Sequence, residues 1–174
     1  KDVETLLLYA SLPSCHKTTL AKMARGVQPE GKRDSYKLSA ILAKCGDHSA
    51  TDTLIAEAEN VSEISDVNLS ELLSALAFVR TDRVKRFLAK GLRSEGYVSL
   101  PGGSKIPRRN CFAHALVQMN MHNEEFPVKD ADYIFSDDDL DKIEQWCADE
   151  LDVGSPRAPR KELSIIPSFE PVSE

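Results

Sequence analysis

The stretch Leu69–Ser94, LSELLSALAFVRTDRVKRFLAKGLRS, decides how this chain is read, because it carries two amphipathic helical patterns separated by one polar break. In its first half Leu69, Leu72, Leu73 and Leu76 recur at steps of three and four, which places them on one face of a helix. Thr81 and Asp82 then interrupt the apolar run. Both residue types accept hydrogen bonds from the free N–H groups at a helix start. Val84, Phe87, Leu88 and Leu92 resume the helical spacing, so the stretch reads as helix, tight turn, helix.

Shifted back along the chain by 34 residues, the same unit returns, with Leu72 over Leu38, Leu76 over Leu42, Ala77 over Ala43, Val84 over Ala50 and Leu88 over Leu54. A second shift of 34 residues is weaker: Leu42 falls on Leu8, Leu54 on Leu20 and Ala58 on Ala24, but Leu38 falls on Glu4, so the first helix can slip by one. A fixed period in this range implies stacked helix pairs that bury their apolar faces only against neighbours. Helical hairpins of similar length in an ordinary bundle would also align some leucines, and that alternative stays open.

The segment Ile41–Asn60, ILAKCGDHSATDTLIAEAEN, resembles the short HEAT-like repeat common in bacterial proteins, in which one helix ends in a Gly-Asp turn and a second runs on with Ala and Leu inward. Leu76–Leu92 resembles a second copy with Arg80 and Thr81 in place of Gly-Asp, and Leu7–Gly26 is a more distant third. The resemblance covers a little over half the chain and consists mostly of hydrophobic spacing. It implies an all-α fold, an α-solenoid of stacked antiparallel helix pairs, and usually a binding role; it carries over no active site and no cofactor. The landmark Trp, Gly-Tyr and Pro residues of a tetratricopeptide array, which has the same period, are missing.

A chain of 174 residues is long enough for one domain with a substantial core. Its 41% hydrophobic and 29% charged residues describe a folded, water-soluble protein, with no apolar run long enough to span a bilayer. No signal peptide is visible, although the chain begins at Lys1 rather than Met. Cys15, Cys45, Cys111 and Cys147 are widely spread, without the close pairing that zinc requires. They read as buried thiols in a reducing, cytoplasmic setting.

Along the chain, helices are expected at Asp2–Leu12, Cys15–Arg25, Tyr36–Cys45, Ser49–Asn60, the two halves of the central stretch, Arg109–Met121 and Ser136–Leu151. Gly96, Pro101, Gly102, Gly103 and Pro107 exclude a helix between the third and fourth pairs and leave a loop with a short extended piece at Tyr97–Leu100. Ser136 and Asp139 have the form of a capping box. The helical-repeat domain is placed at residues 1–153 and a proline-containing tail at residues 154–174, whose Leu163, Ile165, Ile166 and Phe169 could either dock or stay free. Leu6, Leu7 and Leu8 give the first helix more apolar surface than one face uses. Residues before Lys1, or a partner, are therefore expected to cover it.

No catalytic signature is present. Cys111 and His114 in RNCFAHAL share one face of a helix, whereas a cysteine hydrolase brings its histidine from a distant part of the chain. The run SDDDLD at Ser136–Asp141 lacks the Gly and Glu of a calcium loop, having Lys142 and Ala148 in their places. LPGGSK at Leu100–Lys105 is too short for a phosphate-cradling loop. Trp146 lies on the apolar face of its helix and reads as core.

Charge distribution is the informative feature. Arg80–Arg109 holds nine basic and two acidic residues, while Asn110–Gly154 holds two basic and twelve acidic ones, in a protein whose net charge is -6. Such asymmetry marks either a partner surface or two segments that neutralise each other. Arg83, Arg86 and Lys90 line up opposite Val84, Leu88 and Leu92, Arg93 extends the stripe, and Arg108 and Arg109 follow the Gly-rich loop. The first expectation is a non-enzymatic interaction scaffold that grips another protein's acidic surface or segment, or another anion, through this stripe. The second is a helical-repeat enzyme or nucleic-acid processing module of lyase or DNA-repair type, classes that the resemblance family includes. A pI near 5.3 argues against broad duplex binding, and no membrane partner is expected.

Overall fold

In the computed structural model residues 2–13, 15–60, 66–99, 105–129 and 134–154 are described. Among them lie eight helices, α1 (Val3–Ser11), α2 (Lys17–Arg25), α3 (Lys32–Lys44), α4 (His48–Glu59), α5 (Asp66–Val79), α6 (Asp82–Gly91), α7 (Arg108–Asn120) and α8 (Asp137–Leu151), and two short strands, β1 (Tyr97–Ser99) and β2 (Lys105–Pro107). The proline-containing tail from residue 155 onward, with Leu163, Ile165, Ile166 and Phe169, lies outside the described residues.

Caps fix the helix starts. Asp2 accepts a hydrogen bond from the Thr5 N–H at 2.7 Å, Asp47 from Ala50 at 3.3 Å, Thr81 from Val84 at 3.4 Å and Ser136 from Asp139 at 3.1 Å. The Ser136 hydroxyl also donates to the Asp139 carboxylate at 2.6 Å, because Asp is too short to reach back to the Ser136 backbone as a capping-box Glu would. Two breaks are built alike: Gly46 and Arg80 both take left-handed backbone, at φ 101° and 56°, and each precedes the cap residue of the next helix. The third helix begins ahead of Tyr36, where the sequence placed its start. α3 starts at Lys32, with Asp34 in its first turn accepting from the Glu30 N–H.

Packing follows the chain order. α1 packs on α3, α3 on α5 and α5 on α7; each even-numbered helix touches the odd-numbered one before it, but α6 packs more extensively on α7 than on α5, and α8 more on α6 than on α7. Some positions separated by 34 residues are buried alike and others are not: Leu38 and Leu72, Ala43 and Ala77, Leu54 and Leu88, and Ala58 and Leu92 are all inside. Leu42 and Ala50 are only half-buried, unlike Leu76 and Val84. A shift of 35 residues, one more than the period, lays Val3 and Leu6 of α1 over Leu38 and Ile41, all four buried, and Leu8 is 70% exposed. Tyr9 and Leu12 are exposed beside it.

α3 forms a wall between two apolar clusters. Leu38 and Ile41 face α1 and α2, whereas Tyr36, Ala40 and Ala43 face the larger core running through α8. The extended piece at Tyr97 is one strand of an antiparallel hairpin that pairs Val98 with Ile106, both buried. β2 runs directly into α7, and the Arg108 N–H donates to the Gly96 carbonyl at 3.0 Å, so the hairpin fixes the amino end of α7 beside the end of α6.

Candidate anion-binding face

The exposed side of α6 carries Arg83, Arg86 and Lys90, because Val84, Leu88 and Leu92 are drawn into the core on the other side. Three of the six stripe residues are engaged within the fold. Arg83 forms an ion pair with Asp52 of α4, and both side chains stay more than half exposed. The Nε of Arg93 lies 3.3 Å from Glu144 Oε1 on α8, and its Nη2 donates to the Gly154 carbonyl at 3.3 Å. Arg109, half-buried, pairs with Asp137 in the first turn of α8. Arg93 and Arg109 thus carry out part of the internal neutralisation that the opposite charges of the two segments allow.

Arg86, Lys90 and Arg108 form no ion pair among the described residues. Arg86 and Lys90 stand one turn apart and are exposed. Arg108, the first residue of α7, is half-buried, and its Nε is buried without a hydrogen-bond partner. Lys90 and Arg108 border a cavity of about 280 Å³ whose other walls include Phe87 and Gly91 of α6, Phe112 of α7 and Glu59 at the end of α4. The Phe87 and Phe112 rings meet edge to face, with centroids 6.1 Å apart at 63°. Glu59 and this aromatic wall were not legible as part of a site, since the three helix ends that meet here are distant in sequence.

Asn110 is a second polar group that spacing alone did not single out: it is 1% exposed, with neither amide atom partnered. The other residues singled out for their chemistry lie away from this cavity. His114 is half-buried, and burial pushes its imidazole below the ordinary histidine range. Cys147 is fully buried, and burial, with Glu144 adding to it, pushes its thiol up to about 12. A thiol held protonated in this way is a poor nucleophile. Cys15 lies just ahead of α2 rather than inside it. Trp146 packs edge to face on Phe126, with ring centroids 4.9 Å apart.

Among the described residues no group of three or more His, Cys, Asp or Glu side chains is placed to hold a metal ion. No helix among them is long and apolar enough to cross a membrane. Compared with known proteins, the chain matches no family model, no curated protein and no solved structure.

Proposed function

We propose that this protein is a non-enzymatic interaction module, a short solenoid of HEAT-like helix pairs that binds another protein's acidic segment through the face formed by Arg86, Lys90 and Arg108. The repeat reading is supported by the shared break, Gly46-Asp47 and Arg80-Thr81, and by the matched burial of Leu38 with Leu72 and Leu54 with Leu88. One observation carries the binding role: of the six stripe residues, these three form no ion pair among the described residues, and two of them border one cavity. Forked guanidinium groups suit carboxylates because two donors reach two oxygens at once. No observation among the described residues favours the enzyme alternative in the same way.

The test is binding of a blocked, glutamate-rich peptide to the purified chain over a range of salt. Binding that weakens as salt rises, and is lost in the Arg86→Glu/Lys90→Glu double variant with unchanged thermal stability, is the expected result. Equal binding by that variant, or none by the parent chain at low salt, refutes the reading.

A further inference from the structure

The cavity between α4, α6 and α7 has a narrower chemistry than an anionic surface in general requires. We infer that it receives the last residue of a partner polypeptide, with the terminal carboxylate held between Lys90 and Arg108 and an apolar side chain laid against Phe87 and Phe112. This deepens the anion-binding reading above and rests on it.

Charge selects the kind of anion. Lys90 and Arg108 bring two positive charges and Glu59 one negative charge to the walls. The amino end of α7, where Pro107 offers no side-chain cap, and the carboxyl end of α4, where Glu59 is the last residue, contribute partial charges of opposite sign that roughly cancel. A net of one positive charge matches a carboxylate. It is a poor match for a phosphate group, which carries close to two negative charges at neutral pH.

Size and shape select the rest. At about 280 Å³ the cavity lies just below the usual range for small-molecule sites, roughly 300–1,000 Å³, and has room for one residue end rather than a helix or a loop. Phe112 can approach α6 so closely only because residue 91 has no side chain, and the resulting aromatic wall suits an apolar group beside the carboxylate. The Nε of Arg108 is buried without a hydrogen-bond partner, and the residue forms no ion pair among the described residues, so its fork is not committed to a carboxylate of the fold. Chain termini are the one place where a polypeptide presents a carboxylate and an apolar side chain on the same residue.

The experiment is an NMR titration of the isotopically labelled full chain with three probes. The first is an N-acetylated Gly-Ser peptide ending in leucine with a free carboxylate, the second is the same peptide as its C-terminal amide, and the third is the blocked glutamate-rich peptide. The free carboxylate should shift the amide signals of Gly91, Ser94 and Phe112, and the amide analogue should bind about tenfold more weakly or worse, as expected when a charge-assisted hydrogen bond is lost. Arg108→Gln should reduce affinity to the same degree. Lys90→Gln, a change on the exposed side of α6, provides a second reading should the Arg108 variant fold poorly. Equal binding of acid and amide, or shifts away from the cavity, overturns this inference. If the glutamate-rich peptide still binds in a Lys90-dependent way, the broader anion-binding reading survives that outcome; if no probe binds, both fall.

Discussion

The Phe112 ring of α7 lies against the backbone of Gly91 in α6: a Cβ placed on Gly91 would run into that ring. In an exposed helix, replacing Gly by Ala gains about 0.5–1 kcal/mol. Here overpacking decides the sign. Gly91→Ala should lose roughly 1–3 kcal/mol, since the added methyl must displace a ring that is 3% exposed and packed in the core. Urea denaturation measures it, and a gain in stability would show that the helices separate at no cost.

Leu76 and Leu88 are both fully buried. Truncating either to Ala should cost about 2–5 kcal/mol through lost burial and the cavity left behind. Leu8, by contrast, is 70% exposed. Leu8→Ala should change stability by no more than about 0.5 kcal/mol in the isolated chain. Chemical denaturation of the three variants side by side checks the difference.

Arg80 holds a left-handed backbone conformation, φ 56°, at the position where the preceding pair has Gly46. A residue with a Cβ pays about 1–2 kcal/mol for this conformation, and its side chain is exposed, so little contact would be lost on removal. Arg80→Gly should therefore stabilise the protein, by about 0.5–1 kcal/mol once the extra chain entropy of Gly is subtracted. A lower melting temperature in this variant would mean that the Arg80 side chain contributes more than its backbone strain removes.

His114 is expected to make stability pH-dependent. Burial lowers its folded-state pKa, whereas in the unfolded chain it titrates near the reference value, about 6.5. Below that value the unfolded chain binds the proton more readily than the folded one. Stability is therefore complete above it and declines as pH falls towards the folded-state pKa. Denaturation midpoints between roughly pH 7 and 5.5 should fall with acidity, and His114→Gln should flatten that slope even if it shifts the midpoints as a whole.

Local periodicity and capping chemistry determined most of the helices, because both act over a few residues. Leu72, Leu76, Val84 and Leu88 had to turn inward once the chain was helical, and Thr81 and Ser136 could only cap what followed them. Tertiary structure decided everything that depends on distance through space. A three-residue strand such as β2 is not stable by itself, so Lys105–Pro107 became extended only by pairing with Tyr97–Ser99. The sequence placed six cations in one region, but whether each was available depended on Asp52, Glu144 and Asp137 arriving from α4 and α8. Coulomb attraction falls with separation in space and takes no account of separation along the chain. For that reason the stripe was legible as composition, while its reduction to Arg86, Lys90 and Arg108, and the cavity they border with Glu59, was settled only by the packing of α4, α6 and α7.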